Sequence, residues 1–473
     1  MVFSSMIFLA VLLPVTLLLY YILPTKLRNF WLLVVSLIFY SWGEPVYILL
    51  MLFSIALNYS CGLIIGHIDS NNSPSRNRNK KIALVIAVVI NIGLLFVFKY
   101  ADFAIGSYNA IFGRHVHLLK IALPIGISFY TFQAMSYVID VYRGKVKSNR
   151  NIVNFAAYIT MFPQLIAGPI VRYKTIEKEL RDRKVTVDDF YDGIIRFTIG
   201  LGKKVLIANN VAMLFREITT IEAGKLSTSM AWLAVLAFTI QIYFDFSGYS
   251  DMAIGMGRML GFHFLENFDY PYESKSITEF WRKWHISLST WFKEYVYIPL
   301  GGNRKGARRQ IINIFIVWAL TGLWHGASWN FVAWGLYYAI LLVIEKLFLQ
   351  KFLDKLPAII GRIYAIIAFV IGWGIFVLDD LKYPKQFIEA LTFRAGQGLL
   401  DKHTAYLLIN FALVLIVGIV GSTSIPKKVM NKLLDKHYNV KLVAQLVFVA
   451  IVLVASIASI VSDTYNPFLY FRF

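Results

Sequence analysis

The sequence predicts an all-α polytopic membrane protein, and three observations predict it. Of 473 residues, 58% are hydrophobic and only 16% charged, with a mean hydropathy of +0.62. Apolar runs long enough for a helical crossing, roughly 20 residues each, recur from end to end and leave no room for a soluble domain of ordinary size. Lysine and arginine gather between those runs, as membrane topology requires of cytoplasmic loops. These features describe a single membrane-embedded domain over residues 1–473, with a helical core at 1–461 and a short tail at 462–473. About 10 to 12 transmembrane helices are expected, with re-entrant and interfacial helices among them.

Each element follows in order. Met1 to Tyr21 is apolar with no basic residue before it and no small-x-small cleavage site after it, so it reads as a retained first span. Phe30 to Gly66 is too long for one helix and is interrupted at Gly43-Glu44-Pro45, so it should go out and come back. Positive charge clusters at Arg76–Lys81, Arg143–Arg150, Arg172–Lys184, Lys293–Arg309 and Lys427–Lys441, all expected in the cytoplasm. Between Arg150 and Arg172 lies one apolar run, Ile152 to Ile170, broken by Pro163, Gly168 and Pro169. With both ends inside it should be a re-entrant hairpin, shielded by protein or a cavity.

Met230 to Phe262 is again too long for one crossing and holds Asp245 and Asp251 beside Gly248 and Ser250. These carboxylates are expected to mark a break facing protein or water, paired with Arg258, Arg282 or backbone amides. The last span, about Leu442 to Val461, should leave the cytoplasm, because basic residues precede it; the tail then starts outside.

Several chemistries are set aside. The formal charge of +20 is explained by topology rather than by nucleic acid. Cys61 is the sole cysteine, so an internal disulfide or a cysteine-built zinc cluster is impossible, and no His-Glu-x-x-His motif offers another metal site. Gly255-Met256-Gly257 and Gly301-Gly302-Asn303-Arg304-Lys305-Gly306 lack the spacing and context of nucleotide-binding loops. No Ser-His-Asp arrangement is recognisable.

Two histidines remain. His325 sits in a run of 34 residues without Asp, Glu, Lys or Arg, Ile311 to Ile344, which places an ionisable group at membrane depth. The alternative is a structural histidine bonded to a backbone carbonyl. His285 follows Trp281 by four residues and precedes Leu288 by three, so a helix here puts it on the apolar face, near the cytoplasmic interface; hydrogen bonding alone would also explain it. A base with pKa near 6.5 that is kept neutral by desolvation can take a proton from a hydroxyl nucleophile. Acyl transfer to an alcohol is the simplest such reaction.

Five blocks, in order, carry a family resemblance. They are Met1-Val2-Phe3-Ser4-Ser5, Phe162-Pro163-Gln164-Leu165-Ile166-Ala167-Gly168-Pro169-Ile170, Phe244-Asp245-Phe246-Ser247-Gly248-Tyr249-Ser250-Asp251-Met252, the His285 block through Pro299-Leu300-Gly301-Gly302-Asn303-Arg304, and the His325 block. The chain resembles the membrane-bound O-acyltransferases, in their alginate O-acetyltransferase-like branch.

The resemblance implies a funnelled multi-helix fold in a bacterial inner membrane, with His325 at the family's catalytic histidine and His285 at its second motif histidine. It implies a cytoplasmic thioester donor, acetyl-CoA or an acyl-carrier protein, with no permanently bound cofactor. Basic loops suit such an anionic donor, although ordinary topology explains them equally. The tail Phe468-Leu469-Tyr470-Phe471-Arg472-Phe473 looks like the branch's C-terminal aromatic motif, whose tyrosine carries the acyl group; otherwise it is an aromatic anchor at the membrane interface. Ser462 to Tyr470 could extend roughly 30 Å, against about 15 Å from bilayer surface to midplane.

The expected function is therefore O-acetyl transfer across the membrane for a secreted or cell-wall polysaccharide. His325 is the general base, Tyr470 the transient acceptor and His285 the donor-side orienter. Expected partners are an extracytoplasmic SGNH/esterase-like acetyltransferase, the thioester donor and membrane lipids. D-alanyl transfer to teichoic acid is the nearer alternative. A transporter or flippase without acyl chemistry is the more distant one, and no inverted repeat supports it.

Overall fold

A computed structural model describes residues 2–70, 74–222, 224–394, 398–399, 401–434, 438–462 and 469. Among these the regular structure is helical throughout. Among the described residues, six helices are long and apolar enough to cross a membrane: Ile48–Ser70, Arg76–Phe112, Thr228–Met259, Trp329–Leu353, Ala358–Asp380 and Asn439–Ser462. The bent pair Lys402–Asn410 and Ala412–Gly421 would make a seventh, and Phe8–Ile22 is apolar but shorter. The remaining apolar runs form short helices or carry charge at one end, as Gly306–His325 does with Arg308 and Arg309. Length and composition therefore count fewer spans than the runs suggest.

The chain divides into two compact units. The first comprises Met1–Phe197, Met252–Leu265 and Lys293–Tyr295. Within it, helices Thr25–Gly43 and Ile48–Ser70 are separated around Glu44 and Pro45, where the sequence places a turn. Ile152–Thr160 and Phe162–Leu165 are too short to cross, and the chain is buried from Phe155 to Tyr173, as a shielded re-entrant segment must be. Two of the basic segments are joined by one carboxylate: partial burial would raise Glu294, but its bonds to Lys174 and Arg172 hold it below the usual carboxylate range.

The second unit comprises Thr198–Asp251, Glu266–Phe292 and Val296–Phe473. Its central element belongs to the helix Thr228–Met259, which is continuous over 32 residues and about 48 Å long. The break expected at Asp245 and Asp251 does not occur. The two carboxylates are instead neutralised by consecutive lysines on a neighbouring π-helical segment, Lys203–Ala208. Lys204 Nζ lies 2.7 Å from Asp245 Oδ1, and Lys203 Nζ lies 2.8 Å from Asp251 Oδ2. Gly248, midway between them, permits the approach, since a Cβ there would stand 2.8 Å from the Gly200 carbonyl oxygen. A helix whose ionisable groups are paired from its side has no need to open its backbone.

Candidate active site

His325 is the last residue of the helix Gly306–His325, and the charge-free run is a helical hairpin turning just after it. Gly326 has extended backbone and ends the first helix. Ser328 starts the second, Trp329–Ile344, by accepting the Phe331 N–H with its side chain. The turn is tight: a Cβ at Gly326 would lie 2.1 Å from the Phe331 ring. Gly326→Ala should destabilise the protein by about 1–3 kcal/mol, read by thermal unfolding. His325 itself is 2% exposed. Its ring meets Trp324, Trp334 and Phe376 at centroid distances of 5.0, 5.0 and 5.5 Å. Aromatic packing of this kind excludes water and leaves a low-dielectric pocket for the imidazole.

His285 is not on a continuous helix. Helix Ile277–Lys283 ends, His285 takes a left-handed φ of 45°, and Ile286–Phe292 begins anew. Such a conformation costs about 1–3 kcal/mol in a non-glycine residue and persists only where the surroundings enforce it. Asn267 enforces it. Its carbonyl accepts the Ile286 N–H, and its side-chain oxygen accepts the Ser287 N–H at 3.2 Å, capping the new helix from outside. The apolar face expected for Trp281, His285 and Leu288 is present nonetheless, because all three are buried.

The same contact fixes the imidazole tautomer. A backbone N–H can only donate, so the Asn267 atom facing Ser287 is Oδ1, and His285 Nδ1, 3.1 Å from that oxygen, must donate to it. Nε2 then presents the lone pair. Asn267 Nδ2 donates onward to Ser250 Oγ at 3.1 Å, which completes the brace. Burial holds the His285 imidazole well below the ordinary histidine range, and charge on His325 lowers it further. Because the folded state favours neutral His285, its contribution to stability is present above about pH 6.5 and is lost as pH falls below that value. Unfolding midpoints between pH 7.5 and 5 should drop less steeply for His285→Gln than for wild type.

The two histidines flank one ring, with His285 5.7 Å and His325 5.0 Å from Trp324 between centroids. Phe246, in the central helix, stands edge-on to His285 at 4.6 Å. The residue before it, Asp245, was expected to meet Arg258, Arg282 or backbone amides. It meets Lys204 and one backbone amide, the N–H of Leu469 at 2.9 Å, while Arg258 pairs with Asp192. Tyr470, the third expected site residue, lies outside the described residues. Among the described residues no group of three or more His, Cys, Asp or Glu side chains is placed to hold a metal ion.

The profile of MBOAT, the membrane-bound O-acyltransferase family, matches residues 145–381, a stretch that contains both histidines. A probable alginate O-acetylase AlgI from Pseudomonas aeruginosa is 44% identical over 83% of this chain and 75% of its own. The chain belongs to the membrane-bound O-acyltransferase family. An AlgI relative from Azotobacter vinelandii is 38% identical over 100% of both chains. The peptidoglycan O-acetyltransferase of Helicobacter pylori is 33% identical over 84% of this chain and 81% of its own. This membrane-bound O-acyltransferase is thus a multi-pass acyl-transfer enzyme, and the positions of Asn267 and Lys204 are what the sequence alone did not reveal. Lys203-Lys204 in the otherwise apolar Ile199–Asn209 was a usable signal, since ionisable groups in such a run need partners. Asn267 gave none.

Proposed function

We propose that this acyltransferase takes an acetyl group from a cytoplasmic thioester and delivers it across a bacterial inner membrane for O-acetylation of an exopolysaccharide or cell-wall polymer. The whole chain, 1–473, serves this one task. The observation that carries the reading is the Leu469 amide bonded to Asp245 in the buried core, one helix position from the Phe246 ring that packs on His285. The bond ties the residue before the proposed acceptor to the helix that also carries Phe246.

His325 acts as general base. From Arg309 to His325 is roughly 24 Å along the helix axis at 1.5 Å per residue, most of the roughly 30 Å hydrocarbon thickness. A base at that distance lies deep within the bilayer. The imidazole takes the phenolic proton of Tyr470, and the phenolate oxygen attacks the thioester carbonyl. The C–S bond breaks, and the thiolate leaves with the proton from the imidazolium. The resulting aryl ester is activated, because the phenol has a pKa near 10. A serine of an extracytoplasmic SGNH/esterase-like partner then takes the acetyl group, freeing Tyr470 with its C-terminus outside. His285, held in one tautomer by Asn267, orients the donor side.

The test is donor choice in sealed vesicles. Labelled acetyl-CoA or acetyl carrier protein supplied at the cytoplasmic face should place label on the enzyme. Labelling by an alanyl-loaded carrier alone would assign D-alanyl transfer instead.

A further inference from the structure

Asp245 lies near the middle of the helix Thr228–Met259, and its side chain is 2% exposed. Its two carboxylate oxygens are divided between two partners. Oδ1 faces the ammonium of Lys204, itself 3% exposed, and Oδ2 accepts the backbone N–H of Leu469. Leu469 is also buried. The helix that precedes it in the chain, Tyr438–Ser462, packs on the segment that supplies the lysine: a Cβ on Gly202 would stand 2.8 Å from Val452 Cγ1. The lysine, the carboxylate and the helix Tyr438–Ser462 therefore belong to one assembly within the second unit.

A buried ion pair tolerates its desolvation only where the remaining lone pairs also find donors. Lys204 neutralises the charge of Asp245, and the Leu469 amide satisfies the other oxygen. The contact is to main chain, so it reads position rather than side-chain identity. Departure of the tail would remove a donor from a buried carboxylate, which is among the more costly hydrogen-bond losses.

We infer that Asp245, held by Lys204, is a positioning residue that latches the chain at Leu469 through its backbone amide and so fixes the position from which Tyr470 follows. The consequence for catalysis rests on the proposed role of Tyr470. The latch itself does not.

The test uses the full-length protein and two readouts, amide hydrogen exchange of the peptide 463–473 and acetyl labelling. Leu469→Pro deletes the N–H and leaves the Lys204–Asp245 pair intact, whereas Leu469→Ala keeps the N–H. Exchange in the C-terminal peptide should accelerate about tenfold or more in the proline variant and stay near wild type in the alanine variant. Labelling should fall with the same split. The double variant Lys204→Met/Asp245→Leu removes the ion pair and the acceptor without orphaning a charge and should also accelerate exchange, with its unfolding midpoint reporting that it folds. Unchanged exchange in both the proline and double variants overturns the latch. Tyr470→Phe should leave exchange unchanged, so a relay that fails without Tyr470 involvement is distinguished from a latch that fails.

Discussion

His325→Ala lowers acetyl transfer by about two to four orders of magnitude while the protein still folds. A positioned general base contributes on that scale, and no other described side chain of the hairpin turn offers a titratable nitrogen: the neighbours are Trp324, Gly326, Ala327 and Ser328. The aromatic rings at 5.0–5.5 Å pack the imidazole but transfer no proton. His325→Gln preserves most of the volume and should lose as much activity as alanine, which separates chemistry from packing. Both variants are to be compared with wild type by initial rate of polymer acetylation and by unfolding midpoint. His285→Ala should lose less rate and raise the donor concentration needed for half-maximal rate, since its proposed part is orientation.

Tyr470→Phe should abolish transfer to the polymer while leaving the enzyme folded. The phenolic oxygen is the sole atom removed, and in the proposed sequence it is the atom that carries the acetyl group. No partial activity is expected from a hydroxyl-free ring, in contrast to His325→Ala, where solvent can replace a base poorly. Donor consumption should fall to its background rate of hydrolysis, measured by thiol release.

The fold and site were legible in the sequence where the signal was local. Gly43-Glu44-Pro45 ends one helix and turns the chain, and Pro163 and Gly168 mark a segment that does not cross, because both act through backbone dihedrals that the residues themselves limit. His325 was visible because an ionisable group in a charge-free run is expensive wherever that run folds. What escaped was set by contacts distant in sequence. Periodicity placed His285 on a helix face, but Asn267, 18 residues away, bends the chain there and fixes its tautomer. Asp245 and Asp251 suggested a break, and Lys203 and Lys204 made one unnecessary.

On the proposed route the acetyl group passes through the phenol of Tyr470 under the control of His325. The most direct measurement is mass spectrometry of the C-terminal peptide from full-length enzyme mixed with labelled acetyl donor, without the extracytoplasmic partner. Wild type should carry one labelled acetyl group on Tyr470, and His325→Ala should acquire it about a hundredfold or more slowly. Polymer acetylation by Tyr470→Phe at the wild-type rate, with no label on the tail of the wild-type enzyme, would contradict it.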